Sequence, residues 1–325
     1  MKRAYARTKA SQCRWLYCAT ASIVVCALRC RLEDQLLRCA HMDADRRVGE
    51  YVLGVEGLAL LRQWLIGDPA AGETRLDELV HYAATLARSP LAEPFTVPEV
   101  QVAAAYERWA ETYDGTPNSL IVLEERAVRP LLVEAPPGRA LDAACGTGRY
   151  TAYLRHLGHE VIGVDASPAM LDKARAKVPD AQFHIGELAA LPLETASVDL
   201  AVCALALTHC EDLGPPLREL ARVVRPDGRV VLSDLHPLVV AFGGQALFRD
   251  AEGHLAWVRN RLHWHGAYIT AAVAAGLEVR QCLEPPLGAE DIGLVGAGAV
   301  QLAGPAAREA FLGLPGVLVW DLRRG

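Results

Sequence analysis

A chain of 325 residues exceeds one ordinary domain, and a hydrophobic content of 52% excludes general disorder. The formal charge of −6 is unevenly spread: residues 1–41 hold eight Lys/Arg against Glu33 and Asp34, a net of +6, which leaves −12 for residues 42–325. An acidic remainder opposes binding to nucleic acid, where neutralising phosphates supplies most of the affinity, so no nucleic-acid partner is expected.

The first element in chain order is the basic segment 1–41. It carries Cys13, Cys18, Cys26, Cys30 and Cys39 without CxxC pairs, and an uncharged stretch from Trp15 to Leu28. Fourteen residues are short for a membrane span and suit a signal-peptide core, yet Arg29 and Arg31 follow at once in place of a small-residue cleavage pattern. The segment reads as an unstructured extension or mis-assigned start, with a targeting or tethering signal and a metal or disulfide cluster as alternatives. No stable membrane insertion is expected. Met42 opens the first region with regular periodicity, and the chain divides into 1–41, a helical region and linker at 42–97, and an α/β domain at 98–325.

Residues 47–66 and 74–88 have helical periodicity, the second opening with the acids Glu73, Asp77 and Glu78, which favour a helix N-terminus. They read as a packing or dimerisation element rather than a lid, which leaves a homodimer open as one assembly. Ser89 to Pro98 is a proline-punctuated linker. Tyr106, Trp109 and Tyr113 then follow at i, i+3 and i+7, one face of a helix.

An apolar run, Ala140 to Ala144, ends in Gly146-Thr-Gly148, and a helical pattern begins immediately. Seventeen residues beyond Gly148 a second apolar run ends in Asp165. A buried strand, a glycine turn, a helix and a second strand tipped by a carboxylate make a nucleoside-binding βαβ unit. The glycines let the backbone pass close beneath a ligand, and the carboxylate can accept from both hydroxyls of a ribose. A dinucleotide site wants a third small residue three places beyond the second glycine; Thr151 stands there, which disfavours a pyrophosphate cradle and a nicotinamide-dependent reductase.

Further apolar runs at 161–164, 200–207 and 229–232 are short and not alternating, as in strands covered on both faces of a parallel sheet. Helical spacing fills 149–157, 168–177 and 215–224, with Ser167 an N-cap and Pro168 a first-turn residue. Pro226-Asp-Gly228 is a turn, proline fixing φ and glycine accepting a positive one. Leu277 to Leu283 and Val317 to Leu322 read as two closing strands.

Taken together, Leu141-Asp-Ala-Ala-Cys-Gly-Thr-Gly148, Val164 to Leu171, Gly186 to Leu193, Ser197 to His209 and Leu217 to Ser233 resemble, in order, five blocks of the class I S-adenosylmethionine-dependent methyltransferases of the ubiquinone-biosynthesis-like small-molecule type. The resemblance covers about residues 100–325. It implies a Rossmann-like, seven-stranded, mostly parallel sheet with helices on both faces, the last strand antiparallel between the fifth and sixth. It also implies S-adenosyl-L-methionine as cofactor and a small-molecule acceptor. Carried over position by position, Asp142 would help hold the methionine amino group, and Gly146 and Gly148 would underlie the ribose and methionine moiety. Asp165 would take the ribose hydroxyls, Met170 would lie against the adenine, and Glu187 would stand beside the adenine amino group where the family usually has Asp. Cys203 would offer a backbone carbonyl, Arg149 a partner for the methionine carboxylate, and Tyr113 an aromatic wall to the sulfonium.

Methyl transfer from a sulfonium is an in-line displacement, and an oxygen or nitrogen acceptor must also shed its proton, which invites a base. His209 and His236 lie at carboxyl ends of strands, where open α/β sheets bind ligands, and His265 follows in Arg261-Leu-His-Trp-His-Gly266. These three are the candidate bases. His263 and His265 have no nearby acid in sequence to complete a ligand set, so no metal is expected. The chain reads as a cytoplasmic methyltransferase acting on O or N of a small molecule; the alternatives are an S-adenosylmethionine-binding protein without methyl transfer and the reductase.

Overall fold

The computed structural model describes residues 46–65, 67–115, 119–295 and 297–325, without side-chain detail at 119 and 293–302. The readings made for residues 1–41 lie outside the described residues. From its first residues the described chain runs through two helices, α1 (Val48–Gln63) and α2 (Pro69–Thr85). The second starts earlier than its acids suggest. Asp68 caps it by accepting from the amide of Ala70, and Pro69 takes the first turn, so Glu73, Asp77 and Glu78 fall inside the helix instead of opening it.

Next come α3 (Val102–Trp109), α4 (Ser119–Val133), β1 (Arg139–Ala143), α5 (Arg149–His156), β2 (Glu160–Asp165), α6 (Pro168–Lys177), β3 (Gln182–Ile185) and β4 (Val198–Ala204). They are followed by α7 (Gly214–Val223), β5 (Val224–Leu235), α8 (Pro237–Ala241), β6 (Ala246–Arg249), β7 (Leu255–Val258), α9 (His265–Ala274), β8 (Leu277–Leu283), α10 (Ala289–Val295), α11 (Ala297–Phe311) and β9 (Val317–Arg324). The sheet order is β3-β2-β1-β4-β5-β9-β8, with β1 to β5 parallel and β9 antiparallel to both of its neighbours. This is the expected Rossmann-like sheet. The hairpin β6–β7 stands apart from it and has no counterpart in the sequence reading.

The unbroken apolar runs have a simple cause. Along β4, Cys203 joins a core with α7 and α9, while Leu200 and Val202 join the opposite core with α4, α5 and α10. Strand β9 alternates likewise, Leu318, Trp320 and Leu322 facing one way and Val317 and Val319 the other. With both faces covered, both parities are mostly apolar, and the buried polar residues such as Asp142 and Asp234 have hydrogen-bond partners.

Three local expectations change. Strand β4 stops at Ala204, not 207, because Leu205 takes φ 55° and turns the chain into a short 3-10 helix, Leu207–His209. Strand β5 begins at Val224 and includes the Pro226-Asp-Gly228 turn. Within that turn the positive φ (64°) falls on Asp227. Gly228 is needed for space instead, since a Cβ there would meet Val224 Cγ1 at 2.5 Å and the Asp199 carbonyl at 2.8 Å.

Helices α1 and α2 are a packing element of this unit: Val52, Val55 and Ala59 bury against Ala303, Ala306, Ala307 and Ala310 of α11. Arg62 donates to the carbonyls of Glu309, Ala310 and Leu312, groups that the end of a helix leaves without partners. Among the described residues no helix is long and apolar enough to cross a membrane.

Candidate active site

The carboxyl ends of β1, β2, β4 and β5 meet along one edge of the sheet, and the candidate residues converge there. Strand β1 ends in a run of left-handed backbone, Ala144 (φ 56°), Gly146 (φ 53°) and Gly148 (φ 80°). Gly148 caps α5 and is needed for packing, since its Cβ would meet Ala174 Cβ at 3.1 Å. Around Gly146 nothing lies within 4 Å of where a Cβ would stand, so that side of the turn borders open space.

Asp165, at the tip of β2, faces that turn. Its Oδ2 accepts from the amide of Gly146 at 2.8 Å and its Oδ1 from the amide of Ser167 at 2.9 Å. Burial raises its pKa, and these amide bonds work against the rise. Each oxygen keeps acceptor capacity, so the pair suits a diol. Ser167 caps α6 as expected, accepting from Met170. Met170 is buried on α6, and Glu187 is exposed just beyond β3.

Asp142 is buried at the end of β1 and accepts from the hydroxyl of Thr151 at 2.7 Å. Burial pushes its carboxyl up to about 6 despite that bond. Thr151, which occupies the place of a third glycine, thus has a structural task of its own. Cys203 is fully buried on β4, its thiol raised by burial, and it meets β1 at that strand's last residue, Ala143.

The aromatic segment closes over this edge. Helix α3 ends at Trp109, so Tyr113 lies in the following turn and not on the same helix, yet the three rings still cluster. Tyr106 stacks on Trp109 at 5.6 Å, Trp109 stacks on Phe248 of β6 at 5.2 Å, and Tyr113 meets Trp109 edge-on at 5.1 Å. Polar contacts fasten the segment to the nucleoside end. Thr147 donates to Asp114 at 2.8 Å, Lys177 pairs with Asp114 at 2.7 Å, and Glu107 accepts from the Ser167 hydroxyl at 3.1 Å.

His209 reaches the same place from beyond β4. Its Nδ1 lies 3.0 Å from the carbonyl of Arg259, which can only accept, so Nδ1 carries the proton. Nε2 then accepts from the hydroxyl of Tyr106 at 2.9 Å. Burial lowers the His209 pKa, favouring the neutral ring, and raises that of Tyr106 well above its ordinary value. Asp234, buried on β5, accepts from Tyr268 at 2.8 Å, leaves its Oδ1 without a partner, and is pushed by burial up to about 7.

The other two histidines are placed differently. His236 caps α8, its Nδ1 accepting from Leu238 and its Nε2 donating to Glu284 at 2.8 Å. His265 Nε2 reaches the same Glu284 oxygen at 2.9 Å. His263 turns away and donates to the Cys210 carbonyl at 2.8 Å. Arg149 is engaged elsewhere too. It pairs through Nη1 with buried Glu124 at 2.7 Å, which also accepts from Tyr150 and Ser233. Glu284, Asp234 and the Tyr106–His209 bond lie outside the sequence expectations: no local motif announces Glu284, and the spacing of Tyr106 reports only a shared aromatic face.

Residues 141–232 match the methyltransferase-domain family. This core, with its glycine turn joined to Asp165 and its seven-stranded sheet, is a class I S-adenosylmethionine-dependent methyltransferase domain. The malonyl-[acyl-carrier protein] O-methyltransferase of Yersinia pestis is 38% identical over 143 residues, 44% of this chain and 53% of the relative. That of Pseudescherichia vulneris is 38% identical over 167 residues, 50% of this chain and 61% of the relative. The demethylmenaquinone methyltransferase of Renibacterium salmoninarum is 32% identical over 142 residues, 42% and 60%. The chain thus spans a little over half the length of the curated relatives it matches. Among solved structures, an S-adenosylmethionine-dependent methyltransferase from Mesorhizobium loti is 25% identical with a TM-score of 0.47, covering 63% of this chain and 100% of that one.

Proposed function

We propose that this chain transfers a methyl group from S-adenosylmethionine to an oxygen of a small or carrier-bound acceptor. The observation that carries the reading is the contact between the Gly146 amide and Asp165, which leaves a carboxylate and an open glycine turn side by side for an adenosine sugar. Oxygen is favoured over nitrogen because the relatives from Yersinia pestis and Pseudescherichia vulneris are O-methyltransferases.

When bound, S-adenosylmethionine supplies an electrophilic methyl on a sulfonium. In this reading Asp165 accepts from the ribose hydroxyls above Gly146 and Gly148, Met170 and Glu187 border the adenine, and Asp142 and the Cys203 carbonyl serve the methionine end. Tyr113 presents its ring to the sulfonium. The acceptor oxygen forms the new O–C bond as the S–C bond breaks, and S-adenosylhomocysteine leaves. A carboxylate acceptor has no proton to lose. A hydroxyl acceptor passes its proton to Tyr106 Oη while the tyrosine's own proton moves to Nε2 of His209, and the Arg259 carbonyl holds the resulting imidazolium. In this reading the chain works in the cytoplasm, and light scattering of the full chain decides between a monomer and a homodimer.

Incubating the full chain with S-adenosylmethionine and a panel of free and carrier-bound acids and alcohols tests the reaction. S-adenosylhomocysteine should form together with a product heavier by one methylene. Absence of saturable S-adenosylmethionine binding in calorimetry would overturn the proposal.

A further inference from the structure

We propose that His236, His265 and Glu284 form a binding site for one divalent cation of the zinc class, at the acceptor side of the sheet edge. Three separate elements bring the residues together: the end of β5, the start of α9 and the residue after β8. The geometry is that of a chelating cluster. One oxygen, Glu284 Oε1, lies 2.8 Å from His236 Nε2 and 2.9 Å from His265 Nε2, and one ligand atom from each residue falls within 4.8 Å of the others. In a tetrahedral site with bonds of about 2.0 Å the ligand atoms stand about 3.3 Å apart, so the two carboxylate–imidazole distances have to open by only a few tenths of an ångström. The Glu284 side chain is partly exposed and can make that adjustment.

The chemistry of the donors selects the ion. Two imidazoles and one carboxylate suit zinc, cobalt or nickel rather than magnesium or calcium, which prefer oxygen alone. Three protein ligands leave the fourth position open, as in zinc sites that take water or a substrate oxygen. Among the described residues no lysine or arginine pairs with Glu284, whose partners are the two imidazoles. The rings are also held. His236 is buried, and His265 sits edge-on to His236 at 5.5 Å and to Trp320 at 6.0 Å. One contact opposes the ion. The Leu238 amide donates to His236 Nδ1 at 3.2 Å, and a metal on Nε2 moves the ring proton to Nδ1, so this cap has to open on binding. The second acidic cluster, Asp250, Glu252 and His254, has Asp250 already paired with Arg108 and makes no comparable site.

The test uses the full chain, stripped with a chelator and titrated with Zn2+ by calorimetry and with Co2+ by visible absorption. One ion per chain should bind, giving the d–d bands of low-coordinate cobalt without thiolate charge-transfer bands. Glu284→Gln and His265→Ala should each weaken binding about tenfold or more with the circular dichroism spectrum unchanged. No binding, binding insensitive to Glu284→Gln, or thiolate bands from the cysteines of residues 1–41 would overturn the proposal. S-adenosylmethionine binding is measured separately on the stripped chain and on Glu284→Gln, where it should persist; the two readings therefore fail independently.

Discussion

The amide of Gly146 donates to Oδ2 of Asp165 at 2.8 Å, so the turn after β1 and the tip of β2 are one hydrogen-bonded unit. Asp165→Ala should weaken S-adenosylmethionine binding by about 1.5–3 kcal/mol, the scale of a lost charged hydrogen bond. Asp165→Asn keeps the shape but loses one acceptor and the charge, and should fall between. Calorimetry decides; an unchanged dissociation constant in Asp165→Ala removes the residue from the site.

His209 is held neutral by burial, so a reaction that needs it as a proton acceptor loses rate only as pH falls below the ordinary histidine value of about 6.5. With a hydroxyl acceptor, Tyr106→Phe and His209→Ala should each lower kcat about 10²- to 10⁴-fold, the usual contribution of a general base. With a carboxylate acceptor neither should matter beyond positioning. Comparing the two substrates over pH 5–8 checks this, and equal losses on both would sink the relay.

Asp142 keeps its proton in the folded chain up to about 6, whereas an unfolded aspartate releases it near 3.9. Its stabilising contribution is therefore present at acid pH and is lost as pH rises through about 4 to 6. Asp142→Asn, still able to accept from Thr151, should raise stability at pH 8 by about 1–3 kcal/mol and flatten this part of the profile. The same variant should weaken cofactor binding. Urea unfolding at several pH values measures the first effect; a pH profile unchanged by the substitution would contradict it.

Ala144 holds φ 56° at the end of β1, a conformation that costs a residue with a Cβ about 1–2 kcal/mol. Ala144→Gly should raise the thermal midpoint, and Ala144→Val should lower it. A drop with glycine would show that the alanine methyl packs more favourably than the backbone is strained.

Removing Arg149 strands the buried carboxylate of Glu124. Arg149→Met should cost about 3–5 kcal/mol, and Glu124→Gln combined with it should recover much of that loss. A double-mutant cycle in urea provides the measurement; strictly additive losses would deny the coupling.

Most of the sheet was legible because parallel strands covered on both sides leave continuous apolar runs, and because the glycine turn and Asp165 lie close in sequence. What escaped depends on distant pairing. Glu284 meets His236 and His265 from 48 and 19 residues further along the chain, and Tyr106 reaches His209 from a helix 103 residues away. Periodicity cannot report such meetings. The early start of α2 was readable from Asp68-Pro69 but was masked by the stronger acidic signal at 73–78.

The guanidinium of Arg62 sits on the last carbonyls of α11, the helix that carries the chain from the β8 side into β9. The N-terminal pair of helices therefore works as a splint on the segment that feeds β9. Loosening it would release the start of β9, where the Gly316 carbonyl holds the amide of His236 at the carboxyl edge of the sheet.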